Sequence, residues 1–135
     1  MAESEPALKG VTFFAWREGH YLDLTELLRI LERFVEGLTW RVRFDDVAPG
    51  PTADSLEALG PDVRLPTAEL LERVSPSDVQ VIDGVFRGYR LPGDESPSVV
   101  LRAVRSTSWD VEAENEALLD FVRSTFPDTQ DIPWD

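Results

Sequence analysis

Residues 23–45, DLTELLRILERFVEGLTWRVRFD, decide the fold, because a helical spacing of apolar residues changes within them into a strand spacing. Asp23 and Glu26 match a capping box, in which each side chain accepts a hydrogen bond from the backbone N–H of the other residue. The apolar residues that follow recur every three or four positions, as on one face of a helix. This pattern predicts a single helix that opens at Asp23 and ends near Gly37. Its apolar face consists of Leu24, Leu27, Leu28, Leu31, Phe34, Val35 and Leu38.

The helix leads directly into a segment, Thr39 to Asp45, in which apolar and polar residues alternate strictly. Trp40, Val42 and Phe44 fall on one face of this segment, and charged residues fall on the other. Such alternation is typical of a strand with one buried face and one solvated face. A further strand is predicted before the helix, at Val11 to Trp16, from its run of β-branched and aromatic residues.

The middle of the chain, from Asp46 to Pro66, is punctuated by proline and glycine and predicts an excursion over the core. It has room for a short helix at about 53–59, capped by Thr52. A second helix is predicted from Ala68 to Val74. The Asp83-Gly84 pair that follows allows two interpretations, a hairpin turn or a bulge within one long strand.

The last third predicts one long strand and one long helix. The strand is expected from Ser98 to Trp109, after a turn at 92–97, and the helix from about Glu112 to Phe126, where Pro127 ends it. The buried stripe expected for this helix is Leu118, Phe121, Val122, Thr125 and Phe126.

The predicted order of elements is thus β-α-β-(α-α)-β-β(-β)-α. Strands joined by short turns favour an antiparallel sheet, so the fold class is α+β, with two layers and helices on one face of a mainly antiparallel sheet. At 135 residues the chain is expected to form a single globular domain, residues 1–135. Residues 1–9 and 127–135 are expected to be tails, either flexible or docked on the domain.

Composition excludes several classes of function. The net charge of −13 argues against nucleic acid or an anionic membrane as a direct ligand, because both would repel such a surface. The chain has no cysteine, which fits a cytoplasmic location, and we expect no signal peptide in its polar start. Apolar runs are too short to span a membrane.

The negative charge is concentrated at one end of the chain. Residues 109–135 contain eight acidic residues and one basic residue, which gives this segment −7 of the total of −13. Helix capping explains one or two of these acids, and the rest favour steering of a basic partner. Trp134 adds an aromatic side chain of the kind enriched in interfaces, although the sequence favours a tail docked on its own domain somewhat more. The predicted partner-binding residues are Asp110, Glu112, Glu114, Glu116, Asp120, Asp128, Asp131 and Trp134.

Catalytic signals are weak in this sequence. His20 is the single histidine and lies in a polar connection, without a nucleophile motif elsewhere. Asp45 and Asp46 are neighbours on a strand and point to opposite faces, so no metal ligand set is predicted. We therefore expect no enzyme, no catalytic residue, no metal and no cofactor. Acidic residues that converge in a cleft would make a small carboxylate-dependent enzyme, and this alternative stays open.

Arginine is almost the only basic residue, and six arginines are expected on the outer face of the sheet. They would form either a cationic stripe or, more economically, ion pairs with neighbouring acids. These arginines are Arg41, Arg43, Arg87, Arg90, Arg102 and Arg105.

The segment QVIDGVFRGY at 80–89, the strand to Trp109 and the helix that ends at Phe126 give the chain the layout of a known group. In size, charge and order of elements it resembles the small acidic immunity proteins encoded beside bacterial polymorphic toxins. The resemblance implies a non-catalytic inhibitor that binds a cognate toxin, such as a nuclease, and it assigns no residue roles. An acidic secretion chaperone or adaptor is the alternative binding function. The oligomeric state is not predicted.

Overall fold

The computed structural model describes residues 8–47, 63–74, 81–91, 93–105 and 107–132, and the side chains of 44–47 and 81–82 are left out of the description. These parts of the chain form an α+β fold with a mainly antiparallel sheet, as predicted. The strands are β1 (Lys9–Phe14), β2 (Trp16–Arg17), β3 (His20–Tyr21), β4 (Thr39–Val47), β5 (Leu65–Pro66), β6 (Val81–Tyr89), β7 (Val99–Val104), β8 (Ser108–Ala113) and β9 (Gln130–Asp131). The helices are α1 (Leu24–Ile30), α2 (Glu32–Val35), α3 (Thr67–Val74) and α4 (Glu116–Thr125).

Seven strands form one sheet in the order β5-β4-β6-β7-β8-β1-β9, and every pair in it is antiparallel. The short strands β2 and β3 form a separate hairpin. Strand β1 lies next to β8, so the first and last parts of the chain meet near one edge of the sheet. This topology brings the N-terminal aromatic run beside the acidic C-terminal segment.

The core lies between one face of the sheet and the helices. Alternate residues of the central strands are buried on this face, for example Phe13, Trp40 and Trp109. Leucines of α1, α3 and α4 belong to the same cluster of buried side chains. We call the opposite side of the sheet, which carries Arg41, Arg87 and Arg102, the outer face. No helix among the described residues has the length and apolar character needed to cross a membrane.

Helix α1 begins with the predicted capping box. The Glu26 backbone N–H donates to the Asp23 carboxylate at 2.9 Å, and the Asp23 N–H donates to the Glu26 carboxylate at 3.4 Å. The helix does not run unbroken to Gly37, however. At Leu31 the backbone turns to φ −91° and ψ 7°, and the short helix α2 follows. Because no glycine or proline marks this break and Leu31 stays buried, the apolar pattern alone gave no sign of it.

Residues 81–89 form one strand that passes through Asp83-Gly84, so the hairpin interpretation of this pair was wrong. Both halves of β6 pair with β4 on one side, and its second half also pairs with β7. The register slips in β4 between Phe44 and Val47, opposite this region. The long-strand alternative is therefore correct, because partners on both sides hold the chain extended.

The predicted long strand from Ser98 to Trp109 was wrong, because the chain turns between Val104 and Ser108. Strands β7 and β8 form a hairpin, and Arg105 adopts a positive φ of 52° in the turn. The predicted start of the last helix at Glu112 was wrong for a related reason. Trp109, Val111 and Ala113 continue the strand alternation inward, and α4 begins only after Asn115, which caps it.

The predicted helix at 53–59 and its cap Thr52 lie outside the described residues. The described part of the C-terminal tail, up to residue 132, is docked. Strand β9 pairs with β1, and the Ile132 N–H donates to the Gly10 carbonyl at 2.9 Å. At the other end, β1 already begins at Lys9, so this residue belongs to the sheet.

Candidate functional site

The predicted acidic residues do not form one patch. Asp110 and Glu112 lie on β8, on the outer face of the sheet, and not at a helix start. The Glu112 carboxylate is 3.1 Å from Arg102 Nε, and Glu112 is only 9% exposed. Asp110 lies directly opposite Arg102 in the β7–β8 register. These two acids therefore lie beside Arg102 within the sheet.

Two of the six arginines expected on the outer face, Arg90 and Arg102, pair with acids, in keeping with the ion-pair alternative. Arg90 lies 3.4 Å from the carboxylate of Glu114, which follows β8. The backbone N–H of Arg105 donates to the Asp83 carboxylate at 2.9 Å. Arg41 and Arg87 instead lie opposite each other on β4 and β6. The outer face is thus a mixed surface of both signs.

A second group of acids surrounds Arg123 on α4. Its guanidinium lies 3.3 Å from Glu116, 2.7 Å from Asp120 and 2.9 Å from Asp131, and Lys9 lies 3.8 Å from Glu116. Hydrogen bonding, first to Asp131 and then to the other two carboxylates, raises the pKa of Arg123 despite its partial desolvation. We call these five residues the Arg123 cluster. Its carboxylates are exposed and Arg123 is about one third exposed, so each ion pair contributes little to stability.

Asp128 has a different role, because it holds the end of β1. Its carboxylate accepts a hydrogen bond of 2.8 Å from the Phe14 backbone N–H and pairs with the Arg17 guanidinium. Desolvation by burial raises the pKa of Asp128, but these hydrogen bonds together outweigh it and lower the pKa below its usual value. The Arg17 guanidinium also donates to the Phe14 carbonyl at 3.3 Å. The exposed backbone of Phe14 is thus satisfied on both sides by side chains.

Six of the eight predicted partner-binding residues therefore have a cationic partner within the same chain. They are Glu112, Glu114, Glu116, Asp120, Asp128 and Asp131. Trp134 lies outside the described residues. In its described part, up to residue 132, the acidic segment is consequently less acidic, locally, than its composition indicates.

The most distinctive surface lies beside Asp128 and was not predicted. Phe14 is 60% exposed and Trp16 is 52% exposed, and both line a groove of about 550 Å³. We call this groove the aromatic groove. It is lined by Phe14, Trp16, Arg17, Glu18, Phe126 and Asp128.

The aromatic groove rests on a braced framework. Phe126 stacks on the buried Phe13 ring, with 4.2 Å between centroids, and the Arg17 guanidinium lies 5.2 Å from the Phe126 centroid. The Trp16 ring contacts the Tyr21 ring across the β2–β3 hairpin, with 5.4 Å between centroids. The exposed rings are therefore attached to fixed backbone, which lowers the entropy lost when a ligand binds.

The hairpin turn beside the groove also has a defined conformation. Glu18 and Gly19 have φ values of 53° and 78°, so both central residues are left-handed. A turn of this kind matches the right-handed twist of the flanking strands. It keeps the exposed Glu18 next to Trp16 at the rim of the groove.

The signal for the aromatic groove was present in the sequence. In residues 11–16 the side chains of Val11, Phe13 and Ala15 point inward and are buried. Strand alternation therefore sends Phe14 and Trp16 to the other side. The predicted strand at Val11 to Trp16 did not distinguish its two faces, so this consequence was missed.

His20, the single histidine, pairs with a carboxylate of the α1 cap. Its Nε2 lies 2.7 Å from Glu26 Oε1, and Glu26 also closes the capping box of α1. Among the described residues, no three His, Cys, Asp or Glu side chains are grouped so as to hold a metal ion.

Comparisons with protein-family models, with curated proteins and with solved structures found no match to this chain.

Proposed function

We propose that this chain is a non-catalytic binding protein that holds a partner protein at the aromatic groove. The observation that carries this proposal is the exposure of Phe14 and Trp16 side by side on a braced backbone. Tryptophan and other large aromatic residues supply much of the binding energy in protein interfaces. Burial of two half-exposed aromatic rings removes on the order of 200 Å² from water, or about 5 kcal/mol before the costs of association.

The net charge of the chain indicates that the expected partner is positively charged. At −13 the chain attracts a basic protein over a longer range than any single contact. Three residues of the Arg123 cluster, Glu116, Asp120 and Arg123, lie on α4, whose C-terminal end leads into Phe126 in the groove. Charge would therefore steer the encounter, and the aromatic groove would hold the complex.

These properties support the specific role of an immunity protein, which neutralises a cognate bacterial toxin in the cytoplasm. Such a protein has to bind a folded enzyme quickly and tightly without chemistry of its own. A small, acidic, single-domain chain with a rigid aromatic patch suits that task. The cationic site of a nuclease is one surface that would fit it.

Affinity capture from the native host, with partner identification by mass spectrometry, tests the proposal. The Phe14→Thr, Trp16→Thr double variant keeps strand propensity and net charge but removes both rings. We expect it to lose the partner retained by the wild type. Leu91→Thr is the matched control, because Leu91 is 63% exposed but lies outside the groove, two residues after the end of β6. Equal capture by all three proteins would contradict the proposal.

An acidic chaperone or adaptor is the second candidate, and the same groove favours it, because chaperones hold apolar segments of unfolded clients. The two functions differ in the state of the partner. Hydrogen exchange of the captured partner separates them: an inhibited toxin stays protected across its fold, whereas a chaperone client exchanges rapidly.

A further inference from the structure

We infer that the aromatic groove accepts an arginine side chain from its basic protein partner, with the guanidinium stacked on the exposed rings. This inference rests on the proposed function and specifies the chemistry of the contact. It follows from three observations. The groove has exposed aromatic rings, it has carboxylates at its rim, and arginines of this chain already lie over other aromatic rings.

The exposed rings favour a cation. The face of an aromatic ring is electron-rich and attracts Lys or Arg within about 6 Å of its centroid. Phe14 and Trp16 are the large aromatic side chains exposed in the described part of the chain. Both line the same groove, so one side chain of a partner can reach both of them.

The rim of the groove supplies negative charge. Three residues of the groove lining are charged, and two of them, Asp128 and Arg17, form an ion pair with each other. The third is the exposed Glu18. The lining is thus net negative by one charge, in a chain of net charge −13. A partner cation seated on Trp16 would find the Glu18 carboxylate beside it. The charge of the groove is therefore complementary to a basic side chain and not to an acidic one.

The chain already covers other aromatic rings with arginine. Arg33 lies 4.7 Å from the Phe34 centroid and 4.8 Å from the Phe121 centroid, and Arg64 lies 4.1 Å from the Tyr89 centroid. A guanidinium is planar and weakly hydrated, so it stacks on a ring and pairs with a carboxylate at the same time. An ammonium group is compact and strongly hydrated, and it does this less well. Arginine is therefore preferred over lysine.

A peptide library displayed on phage tests the inference without the natural partner. Random 12-residue peptides are selected on the full-length protein at 0.15 M salt, with counter-selection on the Phe14→Thr, Trp16→Thr variant. We expect the retained peptides to contain arginine. A selected peptide should bind the double variant about thirtyfold more weakly. Arg→Lys in the peptide should weaken binding severalfold, as should Glu18→Gln in the protein.

Each outcome of the selection decides a different point. Peptides that depend on the two rings but contain no arginine would overturn the inference and leave the proposed function standing. If the arginine peptides enriched before counter-selection bind the double variant equally well, they are attracted by net charge alone, and this would also overturn the inference. If no peptide depends on the rings, both the inference and the proposed binding role of the groove are rejected. Circular dichroism of the double variant, and the milder Glu18→Gln variant, separate loss of binding from loss of fold.

Discussion

Replacement of Asp128 by alanine should destabilise the protein and loosen the aromatic groove together. The change removes the acceptor of the Phe14 N–H bond at 2.8 Å and the partner of the Arg17 guanidinium. A hydrogen bond to a charged group contributes about 1.5–3 kcal/mol when it is well shielded. The Asp128 side chain is 28% exposed, so water takes up part of the loss, and we expect about 2 kcal/mol for both contacts together.

Urea denaturation followed by circular dichroism measures this loss. For 135 residues, an unfolding entropy of about 2.1 cal/mol/K per residue converts 2 kcal/mol into a fall in Tm of about 7 °C. Asp128→Asn should lose only about half as much, because the amide oxygen still accepts from Phe14. Asp120→Ala is the control: its ion pair with Arg123 is exposed, so its change should stay below about 0.5 kcal/mol. A similarly small effect of Asp128→Ala would refute the assignment of Asp128 as a brace.

The same carboxylate should make this contribution depend on pH. Its pKa is lower in the folded protein, so the stabilisation is complete above the unfolded-state pKa of about 3.9. It is lost as the pH falls through the folded-state pKa. The difference in stability between wild type and Asp128→Ala should therefore be constant from pH 7 to about pH 5 and shrink below about pH 4. If this difference in stability grew as the pH fell, the lowering of the Asp128 pKa on folding would be contradicted.

Two further changes test the core. Gly88→Ala should cost about 1–3 kcal/mol, because a Cβ there would lie 2.9 Å from Leu38 and 3.0 Å from the Trp40 ring; Gly93→Ala, in open space, should have little effect on Tm. Thr67→Val should cost about 1–3 kcal/mol, because the buried Thr67 hydroxyl accepts from Trp40 Nε1 at 2.8 Å and donates to a carbonyl of α2 at 2.6 Å. Thr67→Ser keeps the hydroxyl and should retain most of the stability in the same urea titration.

The elements with local signals could be predicted from the sequence. The capping box at Asp23, the alternation from Thr39 and the helix before Ser75 all depend on neighbouring residues, and each of them was correct. The errors occurred where tertiary pairing decides the outcome. Asp83-Gly84 is a good hairpin sequence, but β4 and β7 flank it and keep it extended. The turn between Val104 and Ser108 has no glycine or proline to mark it.

The acidic segment shows why the candidate site was harder to predict than the fold. Its position in the sequence was obvious, but its partners come from distant residues, such as Arg17 for Asp128 and Lys9 for Glu116. Pairing at such separations is created by the sheet order and cannot be read from a local count of charges. The aromatic groove, in contrast, could have been predicted from local sequence, because strand alternation alone places Phe14 and Trp16 on the face away from the core.

Because six of the predicted partner-binding acids are paired within the chain, we expect the net charge to govern the rate of association. The aromatic groove should govern the rate of dissociation. Acids matched by nearby arginines add little to contact energy, but they do not alter the net charge of −13 that a partner meets at a distance. Added salt should therefore slow association, whereas the rate of dissociation should respond weakly. Loss of Trp16 removes contact area without changing charge, so it should speed dissociation and leave association nearly unchanged. If added salt and the loss of Trp16 changed the same rate constant, the net charge and the aromatic groove would not have separate roles in association and dissociation.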